Sequence, residues 1–246
     1  MTDDLYQRTF TAMDSAIHHL ASLVPQPELL PFKDSFVYRH IENLPQQATV
    51  QKLSRITTGL KAAGVLCNAG LFQEQAAIQR MVDEIGEDVL FLCIPAINGE
   101  TTDLHSRYLE IFFQEEYDST TGKPLEETKA MVQRKNIRAY IANNGGDDPS
   151  GHIKASKTVQ RADSGYVHAA SPHIMDSYGG NPPRFHTDGM LGTLRESEYQ
   201  WYLKNYFFRG CSSFAIAANA FAQVELHKQM TSLMKDWERE LGAHRW

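Results

Sequence analysis

Apolar residues recur every three to four positions along most of this 246-residue chain, which is the period of an amphipathic α-helix. The strict alternation of apolar and polar positions that is typical of strands is nearly absent. Proline and glycine divide the chain, and helices are predicted over residues 2–23, 33–43, 45–68, 71–97, 101–118, 124–143, 152–177 and 194–241. The pattern therefore predicts an all-α fold, a multi-helix bundle of seven to eight helices, forming a single domain over 1–246.

Two details of the pattern refine this picture. The stretch 71–97 has one continuous apolar face and becomes apolar all round in its second half, which predicts a central buried helix. Arg80 and Glu84 lie on its other face, one turn apart, where they can form an ion pair. The irregular stretch 178–193 is the candidate for a mobile or functional loop, because long structureless connections are uncommon in compact domains. Gly210 is expected to bend the last helix.

Composition favours a globular intracellular protein. Hydrophobic residues make up 42% of the chain and charged residues 22%, which is ordinary globular usage. The amino terminus lacks the apolar run of a signal peptide, and the longest apolar run, 89–97, is too short to span a bilayer. Cys67, Cys93 and Cys211 are few, odd in number and widely spaced, so they are interpreted as reduced thiols. These features together predict a cytoplasmic protein without a membrane partner.

Charge is distributed unevenly along the chain. The net charge is −6, which argues against a surface coated for general nucleic-acid binding. The window 129–161, however, contains seven basic and two acidic residues. This window is either a set of solvated helix faces or a local phosphate-binding patch. If it is a patch, the candidate nucleic-acid-binding residues are Arg134, Lys135, Arg138, Lys154 and Lys157.

The sequence RADSGYVH, residues 161–168, contains the strongest candidate for chemistry. Residues seven apart on a helix point within about 20° of one another, so Arg161 and His168 would share a face, together with Ser164. A histidine can exchange a proton near neutral pH, and a guanidinium can hold a phosphate or stabilise developing charge. Metal-independent RNA cleavage, in which the 2′-hydroxyl attacks the neighbouring phosphate, needs both functions. The alternative is that Arg161 forms a surface ion pair and His168 caps or packs.

An arginine and a histidine at this spacing on a late helix of an all-α bundle resemble the HEPN superfamily. The stretch 68–92, with Gly70, Arg80 and Glu84, and the later Ser164 and His168, is similar to the DUF5677-type bacterial helical proteins of unknown function. The first resemblance implies a metal-independent endoribonuclease of a toxin or phage-defence system, with its active site across a homodimer and an antitoxin or defence partner protein. RNA would be the substrate, Arg161 and His168 would be catalytic, and Ser164, Arg80 and Glu84 would support them. The chain departs from the HEPN pattern at Ala162, where a polar residue is usual.

Two other classes of function stay open. A non-catalytic helical binding or scaffold protein would use the basic window or the loop 178–189 to hold a partner. A metal-dependent hydrolase is a third option, because several histidines and aspartates fall within one stretch: His152, His168, His173, Asp176, His186 and Asp188. No HExxH or Glu-x-x-His motif accompanies them, so no metal site and no cofactor are predicted.

Overall fold

The structure is a computed structural model, and it describes residues 2–126, 129–144 and 164–242. The main helices are α1 (Thr2–Ser22), α2 (Pro45–Asn68), α3 (Phe72–Asn98), α4 (Asp103–Phe112), α5 (Arg134–Asn144), α6 (Ser171–Met175), α7 (Glu196–Ala220) and α8 (Val224–Gly242). A single helical turn covers 164–167. Two antiparallel hairpins complete the described chain: β1 (Glu28–Phe32) with β2 (Ser35–Arg39), and β3 (Tyr178–Gly179) with β4 (Arg184–Phe185). The predicted all-α bundle is confirmed.

Helix α3 is central, as predicted, because it contributes to both hydrophobic clusters of the molecule. Residues along its length, from Phe72 to Cys93, join residues of α1, α2, α7 and α8 in the larger cluster, which includes the fully buried Phe207, Phe214 and Trp237. Its second half packs with α4 and α5 around Phe91 in the smaller cluster. The apolar character all round the end of α3 therefore reflects two neighbours on different sides.

Helix α3 runs through Pro95, although proline in a helix interior usually kinks or ends the helix. Pro95 has no N–H to donate to the carbonyl of Phe91, which is the acceptor four residues earlier. Nε2 of His105 lies 3.1 Å from that carbonyl oxygen and takes over its hydrogen bond. The imidazole also stacks on the Phe91 ring, with centroids 4.1 Å apart. Gly99, at φ 81°, then ends the helix in the left-handed region.

The stretch 33–43 is not a helix, so that prediction is wrong. Residues 28–39 form the β1–β2 hairpin, with Lys33 at φ 53° and Asp34 as its two-residue turn. The consecutive Phe36, Val37 and Tyr38 have high strand propensity. The cross-strand pairing of β2 with β1 gives these side chains neighbours that a single short helix would not supply.

The last predicted helix is also interrupted, but not at Gly210. The break lies at Phe221–Gln223, where Ala222 adopts φ 54°. Gly210 lies within the unbroken α7, and a Cβ atom there would approach Leu60 Cδ1 to 2.7 Å and Met13 Cε to 3.1 Å. This glycine therefore allows α7 to pack closely on α2 and α1 and does not bend the chain.

The helices predicted over 101–118 and 124–143 are shorter in the structure. Helix α4 ends at Phe112 and α5 begins at Arg134. The described residues between them form an irregular connection with one isolated bridge, Tyr117 to Pro124. The aromatic periodicity over 101–118 reflects the packing of α4 on Phe91, and it does not extend the helix.

Candidate functional site

The helical turn at 164–167 presents the predicted catalytic histidine. The backbone N–H of His168 donates to the carbonyl oxygen of Ser164 at 3.1 Å, so these two candidates are one helical turn apart. The His168 side chain is exposed, as a group that must meet a large substrate would be. Arg161, the predicted partner of His168, lies outside the described residues.

The predicted continuous helix over 152–177 is broken in its described part. Ala169 adopts φ 50°, a conformation that ends the helical turn, and α6 begins two residues later with Pro172 in its first turn. The two short helices pack closely, because a Cβ atom on Gly165 would lie 2.0 Å from the His173 imidazole. We call residues 164–195 the histidine segment.

Tyr166 attaches the histidine segment to α7. Its hydroxyl donates to the Asp176 carboxylate at 2.8 Å and lies 2.6 Å from the Tyr199 hydroxyl. Since the single Tyr166 proton goes to the carboxylate, Tyr199 is the donor to Tyr166. Arg195 completes the set through a 2.7 Å ion pair with Asp176. We call these four residues the Tyr166 network.

Both phenols of this network stay protonated near neutral pH. Burial, and then the hydrogen bond that its hydroxyl donates to Asp176, raise the pKa of Tyr166 far above its ordinary value. Burial raises the pKa of Tyr199 to about 12. The two tyrosine hydroxyls of the network therefore act as neutral hydrogen-bond donors. The sequence analysis missed it because its members come from three separate elements, and no local spacing relates them.

Helix α6 is anchored to the amino-terminal end of α3. The side-chain amide of Gln73 donates to the carbonyl oxygens of His173 at 2.7 Å and of Ile174 at 3.2 Å. The His173 ring also packs edge-on against Tyr166, with centroids 4.5 Å apart. The segment that follows Ser164 and His168 is thus held on α3 as well as on α7.

The loop 178–193, predicted to be mobile or functional, contains the β3–β4 hairpin and is held at one further point. The backbone N–H of Met190 donates to the Gly70 carbonyl at 2.8 Å. Met190 is 3% exposed and joins the main hydrophobic cluster. Gly70, which the family resemblance singled out, therefore lies at the contact between this loop and the end of α2.

Arg80 and Glu84 form the predicted pair on α3, 2.5 Å apart. The Arg80 side chain is 12% exposed and Glu84 41%, so the guanidinium is largely buried. Its NH1 nitrogen has no hydrogen-bond partner within the described ranges. Arg80 lies two turns after Gln73, about 10 Å along the same face of α3. That face thus carries both the anchor of the histidine segment and a buried guanidinium with a donor to spare.

Most of the basic window that the structure describes is tied to carboxylates. Arg134 pairs with Asp88 and, at 2.5 Å, with Glu87, and Arg138 pairs with Glu87 at 3.0 Å. Lys52 joins from α2, with its ammonium 2.9 Å from Asp88. We call these five residues the α3–α5 ion network. Its members are 11% to 27% exposed, so Arg134 and Arg138 serve first to hold α5 on α3.

The remaining basic candidates differ in their surroundings. Lys135 is exposed on α5, where it is accessible to a phosphate. Lys129 pairs with Glu110 on α4. Lys154 and Lys157 lie outside the described residues. The described part of the window therefore offers fewer unpaired cations than the sequence suggested.

No group of three or more His, Cys, Asp or Glu side chains converges among the residues that the structure describes. The three cysteines are buried and free. Burial raises the pKa of Cys67 to about 11, and that of Cys93 and of Cys211 to about 12. No helix in the described ranges is long and apolar enough to cross a bilayer.

Comparison of the chain with family models, with curated proteins and with solved structures finds no match in any of the three. The case for a function therefore depends on the site itself. It consists of an exposed histidine one turn after a serine, on a segment held by the Tyr166 network and by Gln73. The buried Arg80 guanidinium lies about 10 Å along α3 from Gln73.

Proposed function

We propose that the chain is a HEPN-like, metal-independent endoribonuclease in which His168 is the general acid/base and Arg161 binds the scissile phosphate. The single observation that carries the proposal is the exposed His168 at the end of a helical turn. Tyr166, two residues earlier, fixes that turn through its hydrogen bonds with Asp176 and Tyr199. An acid/base group needs access to substrate and a fixed direction. The turn supplies both, since the side chain is free to meet RNA while its backbone is anchored.

Ser164, Arg80 and Glu84 are supporting residues in this proposal. Ser164 lies one turn before His168 and faces the same way. Arg80 and Glu84 form an ion pair on α3, the helix to which Gln73 anchors the histidine segment, and they would support the segment from that helix. The exposed Lys135 would add attraction for the RNA backbone.

The proposal extends to the biological setting and the assembly. The family resemblance implies a toxin or phage-defence role, an antitoxin or defence partner protein, and an active site between two copies of the chain. RNA cleavage by a homodimer would bring a second His168 and a second Arg161 to the same substrate.

RNA cleavage in the presence of EDTA tests this function. Purified wild type, His168→Ala and Arg161→Ala are incubated with total RNA and bulk tRNA. We expect cleavage by wild type that falls about 10²-fold or more in each variant, the usual range for loss of a general acid/base. His18→Ala is the matched control, because His18 is an exposed histidine on α1. Equal cleavage by all four proteins, or none by wild type, would contradict the proposal.

A second candidate function, a non-catalytic binding protein, has one specific observation in its favour. Leu29 pairs with Tyr38 and Pro31 with Phe36 across the β1–β2 hairpin, and all four side chains are exposed. Four apolar side chains on one hairpin face are typical of a protein-contact surface. Under this function, wild type would not cleave RNA, and Phe36→Ser, but not His168→Ala, would abolish self-association in sedimentation experiments at rising chain concentration.

A further inference from the structure

A groove of about 850 Å³ opens between α1, α2 and α7. Its wall residues include Tyr6, Phe10, Lys61, Gly64 and Lys204. This volume lies within the range of small-molecule sites in proteins. None of the residues proposed to act on RNA lies in its lining, so the groove is a separate feature of the molecule.

Aromatic rings form one side of the groove. Tyr6 and Phe10 are half-buried on α1 and pack edge-on against the fully buried Phe207, with centroids 4.7 and 5.1 Å apart. The buried ring beneath them limits their movement. The exposed parts of the Tyr6 and Phe10 rings therefore offer a rigid apolar surface on which a flat ligand can lie.

Two ammonium groups reach the groove from different helices. The Lys61 ammonium lies 5.5 Å from the centroid of the Phe10 ring, and Lys61 has no ion pair within the part of the chain that the structure describes. Lys204 is 14% exposed and forms an ion pair with Glu240, with 3.6 Å between its ammonium and the carboxylate, so Lys61 carries the uncompensated positive charge. Asp14 is the acidic side chain in the lining. The lining thus contains one more ammonium group than carboxylates, on a chain of net charge −6, and this small excess favours an anion over a cation.

Gly64 keeps the groove open. It lies in the interior of α2, and a Cβ atom there would meet no other atom within 4 Å. Most residues favour a helix more than glycine does, and the neighbouring space would accept a side chain. The absence of a side chain at this position leaves room beside the aromatic surface and the two lysines.

We propose that this groove binds a small aromatic anion, with its ring against Tyr6 and Phe10 and its acidic group between the Lys61 and Lys204 ammonium groups. An aromatic carboxylate and an aromatic phosphate share this chemistry. The site is independent of the proposed RNA cleavage, and its test does not depend on that activity.

Calorimetric titration of the full chain with naphthalene-2-carboxylate tests the proposal, with naphthalen-2-ylmethylammonium as a probe of the same ring and opposite charge. We expect one carboxylate per chain, and binding of the ammonium that is weaker by about tenfold or more. Lys61→Gln should weaken carboxylate binding, whereas Lys228→Gln, which changes an exposed lysine on α8, should not. An aromatic phosphate of the same ring size then distinguishes the two anion types.

Variants at Gly64 keep the test decisive. Gly64→Phe should fill the groove and abolish carboxylate binding, while Gly64→Ala should retain it, and both should preserve the helical circular dichroism of wild type. No saturable binding to wild type, equal affinity for the two probes, or normal binding by folded Gly64→Phe would each overturn the proposal.

Discussion

The helical core and the histidine segment are held by different kinds of contact. The core around α3 buries large apolar side chains completely, among them Phe91, Phe207, Phe214 and Trp237. Within residues 164–195, Met190 is the one buried side chain. The segment is instead attached by polar contacts at three points: the Gln73 amide, the Tyr166 network and the Met190–Gly70 hydrogen bond. The core therefore sets the global stability, and the segment can open while the core stays folded.

This difference suits a catalytic role for the segment. A rigid scaffold that carries a locally less stable segment allows a long substrate to enter without unfolding the protein. Substitutions in the two regions should therefore differ in kind as well as in size: those in the core reduce the free energy of unfolding, and those in the segment change local opening.

The largest effect is expected in the core. Phe214→Ala should lower the free energy of unfolding by about 3–5 kcal/mol, because it removes a fully buried ring and leaves a cavity. Urea denaturation followed by circular dichroism measures this change. Val65→Ala is the control, since Val65 is 69% exposed and should change stability by less than about 0.5 kcal/mol. A loss below about 1 kcal/mol for Phe214→Ala would contradict the buried core.

The α3–α5 ion network should come next. Asp88→Ala removes the carboxylate shared by Lys52 and Arg134 and leaves both cations with less compensation in a largely buried setting. We expect a loss of about 3 kcal/mol in urea denaturation, the range for breaking one side of a buried pair. Asp14→Ala, which changes a carboxylate that is 62% exposed on α1, should cost little. If Asp88→Ala and Asp14→Ala lowered the free energy of unfolding by the same small amount, the ion network would be hydrated and would contribute little.

A smaller and more local effect is expected at Tyr166. Tyr166→Phe removes the hydroxyl that joins Asp176 to Tyr199, at a cost of about 1–2 kcal/mol. Because the hydroxyl anchors only the segment, amide hydrogen exchange should accelerate over 164–177 and stay unchanged in α2 and α3. Uniform acceleration across the whole chain would show that the segment and the core unfold as one unit.

The smallest effect is a pH dependence that arises from His105. Burial lowers the pKa of His105, although the hydrogen bond of its ring to the Phe91 carbonyl acts in the opposite direction. The Thr102 N–H donates to Nδ1 at 3.2 Å, so the neutral ring carries its proton on Nε2 and donates to Phe91. Below the unfolded-state pKa of about 6.5 the unfolded chain binds more protons, so stability falls as pH drops.

His105→Gln tests this assignment. A glutamine amide can still donate to the Phe91 carbonyl but does not titrate in this range. Urea denaturation at about pH 5 and about pH 7.5 should show that wild type loses more stability at the lower pH than the variant does. An identical loss in both proteins would exclude His105 as the source.

The helices of the core could be predicted from the sequence because the residues that determine each helix are close together in the chain. Helix α2 has the predicted bounds, Pro45 to Asn68, and α3 differs from its predicted span by one residue at each end. Proline in a first turn and an apolar face of period 3.6 depend on neighbours in the sequence. Local reasoning does not explain how α3 accommodates Pro95, because the compensating donor, His105, comes from the next helix.

The candidate site could be predicted only in part. Ser164, His168 and the Arg80–Glu84 pair are related by helical spacing, and the structure places each pair one turn apart. The anchors of the segment are not related in this way: Gln73 and His173 are 100 residues apart in the chain. Pairing of Arg134 and Arg138 with Glu87 likewise joins α5 to α3 across about 50 positions, which no charge count along the sequence would indicate.

The chemistry of the RNA ends after cleavage tests the central claim most directly. One RNA oligonucleotide is incubated in EDTA with wild type or His168→Ala, and the products are weighed by mass spectrometry. Attack by the 2′-hydroxyl on the phosphate forms the O2′–P bond and breaks the P–O5′ bond, with His168 moving the proton. Wild type should therefore give 2′,3′-cyclic phosphate and 5′-hydroxyl ends, and the variant should leave the oligonucleotide intact. An uncut oligonucleotide with wild type, or the same products with His168→Ala, would contradict the account.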